Sequence, residues 1–471
     1  MIYKTNIYQS ITNTKRAGTL VLSVVSFIFA SCAFVPGNYQ RPDINNQVSY
    51  RANGGTDTNS IAAIPWRTLF KDKILLSLIE EGLAGNADLG IAVSGIKQAE
   101  AGFDQSKLAL WPGLTTGATG TVEQSINGGS AGATSDFQLL LSASWEVDVW
   151  GKLTSAKRAS LAALLESEAN RNAVITRLIA DIANNYYSLL ALDAQLEITQ
   201  KTVGLRIADV NTMKDLKSNA VVTGAAVVQS EANRYAAEVT IPDIKQNIRT
   251  IENSLSILLG RSPGSITRST LDEQNPVEKV PIGVPAQLLS NRPDVLQAEY
   301  AFRYAFEITN AARSAFYPEL TITASESITE GKIKDLFNPG TILGNLIGGL
   351  TQPIFNKGIN TARLETAEAV QEEALFSYKK ALLAASGEVS NALYSFETAR
   401  EKAEVRKKQI EALEKSVEYT KELLAYGSAN YTEVLSAEQN LLAAELNRVN
   451  DKLQQLQAVV ALYRSLGGGI K

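Results

Sequence analysis

The sequence predicts a mixed α/β membrane protein built as a tandem repeat, and three observations carry that reading. Between Phe137 and Val149 apolar and polar residues alternate, so an extended chain there has two faces of different chemistry. The arrangement recurs at an offset of 206 to 207 residues. Two stretches, from Lys152 to about Lys217 and from Ile359 to about Tyr426, contain no proline and show helical periodicity.

The alternating stretch is the clearest element. Phe137, Leu139, Leu141, Ala143, Trp145, Val147 and Val149 are apolar, whereas Gln138, Ser142, Ser144, Glu146 and Asp148 are polar, with Leu140 the exception. A partner strand precedes it at Leu114 to Glu123, after Pro112 ends the incoming helix, and Gly128-Gly129 with Gly132 supplies the connection. Strands of roughly ten residues with one apolar and one polar face suit a membrane barrel, the odd set meeting lipid and the even set a wet lumen. A single strand of this kind also suits a soluble sandwich. The membrane reading gains weight because the hairpin is made twice.

The second copy is found by counting. Asp88 and Pro112 recur as Asp294 and Pro318 at an offset of 206, and beyond the hairpins the offset is 207. Gly151 then meets Gly358, Asn184 meets Asn391, Tyr187-Ser188 meets Tyr394-Ser395, Glu231 meets Glu438 and Leu259-Gly260 meets Leu466-Gly467. After Tyr317-Pro318, Leu320, Ile322 and Ala324 alternate with Thr321, Thr323 and Ser325, and a Gly-rich return strand is expected near Leu343 to Phe355. A seven-residue ladder of Ile175, Ile182, Leu189, Leu196, Val203 and Val210 has its shifted copy in Leu382, Val389, Phe396, Ala403, Ile410 and Val417. This is a coiled-coil-like seam on rods on the order of 90 Å long. Helices of that length lie far beyond the usual three turns and imply an elongated helical structure.

Taken in order, the chain opens with Lys4, Lys15 and Arg16, an apolar core from Leu20 to Ala30, and Phe29-Ala30-Ser31-Cys32. This is a signal peptide over 1–31, too short in its apolar core to span a bilayer. Residues 32–64 read as an extended arm without periodicity. Repeat one covers 65–260, with its hairpin at about 113–150, a rod, a turn at Ser218 to Gly224 and a return helix that Pro242 should kink. Residues 261–285 carry four prolines and form the inter-repeat linker. Repeat two covers 286–471, with its hairpin at about 319–356, a rod, a turn at Gly427 to Tyr431 and a return helix to Leu466.

Composition closes off several classes of function. The chain has no His and one Cys, so His-based triads and His/Cys metal sites are not available and no internal disulfide can form. A net charge of -4 without basic clusters argues against nucleic acid, and no phosphate-cradling Gly loop stands between a strand and a helix. No enzymatic chemistry is expected. Two hairpins make four strands, too few to close a barrel, and an open edge in hydrocarbon would leave backbone groups unpaired. Several chains must therefore share one wall.

At this point the chain resembles the outer-membrane efflux proteins of the TolC type, in the OprM/NodT lipoprotein branch, over about Trp66 to Gly469. The resemblance rests on Ser144-Trp145-Glu146-Val147-Asp148-Val149-Trp150-Gly151, Asn291-Arg292-Pro293-Asp294-Val295 with Ala298-Glu299, and Phe316-Tyr317-Pro318. Pro353-Ile354-Phe355, Tyr426-Gly427 with Tyr431, and Leu466-Gly467-Gly468-Gly469 complete it. Cys32 stands where a lipobox places the lipidated cysteine, with Phe29 in place of the usual Leu. The resemblance implies a homotrimer with a twelve-stranded transmembrane β-barrel continued by a long periplasmic α-helical barrel. Its expected partners are outer-membrane lipid, a periplasmic adaptor and an inner-membrane pump of the RND type, with no cofactor beyond a covalent lipid on Cys32.

The two helix-pair turns should converge at the periplasmic tip, where the family has its constriction. Gly224, Tyr426, Gly427, Tyr431, Glu433, Ser436 and Glu438 are the candidate gate residues. Ser436 stands where the family often has an Asp, and Glu433 or Glu438 could form a ring of like charge that attracts cations. A type I protein-secretion duct shares the architecture, and a secreted coiled-coil protein would explain the rods but not the hairpins. The residues leave the cargo open among small molecules, cations and proteins.

Overall fold

The computed structural model describes residues 36–43, 61–127, 130–275, 292–330 and 343–469. The signal peptide, Cys32, Gly128-Gly129, Asn291 and the second half of the inter-repeat linker lie outside them. The described elements run α1 (Trp66–Leu69), α2 (Lys73–Gly85), α3 (Ala87–Leu108), β1 (Gly113–Asn127), β2 (Ser130–Val147), α4 (Lys152–Ser218), α5 (Gly224–Glu238) and α6 (Thr240–Leu258). The second half runs α7 (Pro293–Ser314), β3 (Glu319–Glu330), β4 (Leu343–Thr351), α8 (Ile359–Ala425) and α9 (Tyr431–Ser465). Among the described residues no helix is long and apolar enough to cross a membrane.

The chain divides into two compact units. The first gathers residues up to Arg41 with Ala99–Leu164 and Ala301–Leu375, and contains all four strands. They form one antiparallel sheet in the order β1-β2-β3-β4. The return strand β4 stops at Thr351, short of the Phe355 expected, because Pro353 lacks the N–H a ladder needs. In the same unit the arm residue Pro36 lies 2.5 Å from where a Cβ on Gly151 would stand. Gly151 has φ +71, so that only glycine fits both the backbone and the approach of the arm. Asn310 Nδ2 donates to Gly37 O at 3.0 Å, and Tyr39 packs edge-on against Phe302 and Phe306, which straps the arm to α7.

The second unit gathers Pro42–Gln98, Leu165–Tyr300 and Phe376–Lys471. Its core is the heptad seam together with α2, so that Leu75, Ile79, Ile182, Leu189, Leu382 and Val389 are all buried. Asp72 caps α2 by accepting from Ile74 N at 2.8 Å. The same carboxylate accepts from Tyr186 Oη at 2.6 Å and Gln274 Nε2 at 2.9 Å. Burial by itself would raise the pKa of Asp72, but these hydrogen bonds and those of Ser269 and Ile74 hold it below the usual carboxylate value. The described part of the inter-repeat linker is therefore docked rather than free, with Ile266 and Leu271 buried and Arg268 paired to Asp193 and Glu252.

The two rods α4 and α8 are each 67 residues long, and both of their ends differ by the offset of 207. At 1.5 Å per residue that is about 100 Å of helix. The return helix of repeat one breaks between α5 and α6 at Val239, because Pro242 has no N–H to offer the carbonyl of Glu238. Its counterpart α9 has no proline and is continuous.

Candidate channel wall and helical tip

In an antiparallel sheet directly opposed residues share a face, so the register decides what each surface is made of. Leu139 pairs with Ala118 and Ile328, Ala143 with Leu114 and Ala324, and Trp145 with Ile322, while Leu320 and Ala324 go on to pair with Leu350 and Leu346. Phe137, Leu141 and Val147 lie on the same surface, which has Leu, Ile or Ala on all four strands but also takes Thr116 and Glu326 opposite Leu141 and pairs Phe137 with Glu330. On the opposite surface Gln138 meets Thr119 and Thr329, Ser142 meets Thr115 and Ser325, Ser144 meets Thr323, and Glu146 meets Thr321. That surface is dominated by hydroxyls. The parity read from one strand therefore extends to most of the sheet, with Ile347 standing on the hydroxyl surface opposite Thr323.

Three details depart from the strand reading. Asp148 lies beyond the end of β2 and accepts from Leu153 N at 2.9 Å and Thr154 N at 2.8 Å, so it caps α4 rather than lining a lumen. Glu146 is not a free wall carboxylate, because Lys152 Nζ lies 2.9 Å from it and 3.8 Å from Glu319. Glu326, which the alternation read only as far as Ser325 did not reach, stands exposed on the apolar surface opposite Leu141 and Gly344. At the base of the sheet Trp145 Nε1 donates to Leu110 O at 3.0 Å and Trp150 Nε1 to Pro318 O at 2.7 Å. Trp150 also stacks on Tyr317 with centroids 5.0 Å apart. Satisfied indole N–H groups on an apolar body are the chemistry of a membrane–water boundary.

The helix-pair turns lie in the second unit. Gly427 has φ +68 and its repeat partner Ala220 has φ +59, so both turns use one left-handed residue at the same place. Gly224 is not that residue: it begins α5, four positions later. Asn430 caps α9 by accepting from Glu433 N at 3.1 Å, and its amide returns a hydrogen bond to Glu433 Oε1 at 3.0 Å. Glu433, Ser436 and Tyr426 are exposed.

Glu438 is placed differently from Glu433. It is nearly buried and pairs with Arg206 of α4 at 2.5 Å and with Lys421 of α8 at 2.7 Å, while Arg206 also reaches Asp209 at 3.1 Å. The expectation of a like-charge ring at Glu438 is thus corrected, because its charge is neutralised within its own chain. Burial, then the neighbouring charge of Glu438, holds Asp209 above the usual carboxylate value. Burial and the charge of Asp209 push the phenol of Tyr431 up to about 12. Lys421–Glu438 has its repeat copy in Lys214–Glu231 at 2.9 Å, so that pair was latent in the duplication. Arg206 was not, since its counterpart is Leu413.

The same duplication is seen when the chain is compared with known proteins. The family described as Outer membrane efflux protein matches residues 78–261 and again 284–468, one match for each repeat. The chain belongs to that family. The Cation efflux system protein CusC of Escherichia coli K12 is 28% identical over 94% of this chain and 98% of its own length. The Probable outer membrane lipoprotein SilC of Salmonella typhimurium is 29% identical over 94% and 97%. Among solved structures, CusC superposes with a TM-score of 0.84 at 26% identity, covering 93% of this chain and all of the other. The open-state MtrE outer membrane channel of Neisseria gonorrhoeae also gives 0.84 at 26% identity, covering 93% and 99%. The efflux protein described here is accordingly an outer-membrane channel component that extends into the periplasm.

Proposed function

We propose that three copies of this efflux protein form one duct, with a twelve-stranded barrel in the outer membrane and a periplasmic helical barrel. The duct passively exports what an inner-membrane pump of the RND type delivers through a periplasmic adaptor. The observation that carries this is the open sheet. Among the described residues its four strands leave β1 and β4 with unpaired edges, and one surface carries Leu, Ile or Ala on every strand, broken by Glu326. Such a sheet in hydrocarbon closes only with strands from other copies. The apolar surface then meets lipid and the hydroxyl surface lines water.

The strap at Gly151 supports the lipid anchor. Cys32 stands four residues before Pro36, a chain length of at most about 14 Å, so a lipid on it would be tethered close to the arm residue that packs against Gly151. Cation and small-molecule cargoes are favoured by what the relatives are called, which includes a Toluene efflux pump outer membrane protein of Pseudomonas putida. With no His, one Cys and two Met in the sequence, a metal cation would pass without a relay of soft ligands. The turns at 219–223 and 426–430 form the periplasmic gate in this reading.

Native mass analysis of membrane-extracted protein tests both claims together. The expected result is an oligomer of three chains, each starting at Cys32 with added acyl mass. A monomer holding its full β-structure in detergent would sink the shared wall, and a mature start elsewhere would sink the anchor.

A further inference from the structure

At the base of the sheet one cation is placed against the local rules. Lys152 is the first residue of α4, where the helix dipole disfavours a positive side chain. Its Nζ lies 2.9 Å from Glu146 and 3.8 Å from Glu319. Glu146 stands on the hydroxyl surface opposite Thr321, and Glu319 on the same surface opposite Thr351. Two carboxylates from neighbouring strands thus face one ammonium on the surface that the shared-wall reading turns to water. The side chains are 27% exposed at Glu146, 37% at Lys152 and 47% at Glu319, and ion pairs so open to solvent contribute little to stability. The group calls for another reason.

The duplication shows that the group belongs to one junction alone. Under the offset of 207 Lys152 becomes Ile359 and Glu146 becomes Pro353, and under the offset of 206 Glu319 becomes Gly113. The base of β2 and β3 is therefore charged where the matching base of β4 and β1 is not. Two further charges stand near. Asp148 is spent on the N–H groups of Leu153 and Thr154. Arg363 of α8 lines the same cavity, of about 170 Å³, and is exposed.

We propose that Lys152 is a specificity-determining residue of the duct, a tethered cation that occupies the space between Glu146 and Glu319 and keeps the barrel base from selecting mobile cations. The proposal rests on the shared-wall reading, in which each copy repeats the group at one level of the lumen. Glu146 and Glu319 bring two negative charges per copy, and Lys152 cancels one of them. Carboxylates repeated around a wet pore attract cations and repel anions, so the ammonium sets how strongly the wall discriminates. The station is separate from the helix-pair turns, since Glu146, Lys152, Glu319 and Arg363 all belong to the unit that holds the sheet.

Planar-bilayer recordings of the assembled full-length protein test this in a potassium chloride gradient of about 0.1 M, where a charge is felt over about 10 Å. Lys152→Gln should raise the permeability ratio of potassium to chloride about threefold or more, while Lys152→Arg keeps the wild-type ratio. Glu146→Gln with Glu319→Gln should lower the ratio below wild type, and Arg363→Gln should change it far less than Lys152→Gln. Lys152→Cys reacted after assembly with a cationic thiosulfonate should return to the wild-type ratio, an anionic reagent should not return it, and wild-type protein treated alike controls for Cys32. A Lys152→Gln oligomer that conducts with the wild-type ratio would overturn the proposal, as would an equal shift from Arg363→Gln. Should Lys152→Gln fail to assemble, the paired Glu→Gln variant decides, and a ratio not below wild type overturns the proposal while leaving the shared wall standing. Wild-type protein that is monomeric throughout would overturn the shared wall and this proposal with it.

Discussion

The sheet and the helical tip solve their structural problems by different means. In the sheet, identity matters only by class: on one surface Leu, Ile, Ala and Val succeed one another, on the other Thr and Ser, and no residue depends on a single partner. At the tip, Glu438 depends on Arg206 from a helix 232 residues away, and Asp209 and Tyr431 take their electrostatics from that pair. A face set by periodicity spreads its stabilisation over many small terms. A buried ion pair concentrates it, because a charge stripped of its partner stays desolvated. Substitutions should therefore be absorbed in the sheet according to side and felt at the tip according to partner.

The largest effect is expected from Arg206→Ala. Removing one partner of a buried pair costs about 3 to 5 kcal/mol, so amide exchange around 203–210 and 434–441 should rise a hundredfold or more. Unchanged exchange there would show that Lys421 alone neutralises Glu438 and that the comparison overstates the tip.

Next comes the sheet. Leu141→Arg places a charge on the apolar surface near mid-strand, opposite Thr116 and Glu326, and because the Glu326 carboxylate offsets part of the penalty it should cost about 2 kcal/mol of assembly, the low end for a lipid-facing charge. Ser142→Arg, one residue along on the hydroxyl surface, should assemble nearly as wild type. Heat-dependent dissociation of the oligomer on gels reads the difference, and equal loss in the two variants would mean that the surfaces have been assigned the wrong solvents.

The smallest effects are expected in single-channel recordings of the tip. Glu433 is exposed and shares its carboxylate with the cap at Asn430, so Glu433→Gln keeps the cap and removes only charge. A modest drop in cation preference is expected. Tyr431→Ala should raise conductance by loosening the packing beside Arg206. Wild-type selectivity and conductance in both variants would move the constriction away from these turns.

Much of this architecture is visible in local sequence, for a physical reason. Side chains alternate on a strand and return every 3.6 residues on a helix whatever lies around them, so the parity of Phe137 to Val147 and the ladder from Ile175 to Val210 can be read without knowing any partner. The duplication is likewise a property of the string, and it contains Lys421–Glu438 as the copy of Lys214–Glu231. Tertiary structure decided the rest. Asp148 has the parity of a lumen residue, but the strand ends before it and two free helix N–H groups take its oxygens. Glu438 has the composition of a pore ring, but Arg206 reaches it across the chain, and no repeat marks Arg206. Tyr187 and Tyr394 are the same residue in the same register, and Tyr187 is core because residues 69–72, the linker and α9 gather around it, whereas Tyr394 is exposed. Period and class follow from backbone geometry, which is local, whereas burial and charge pairing depend on which distant segment arrives, and that is decided only when the chain has folded.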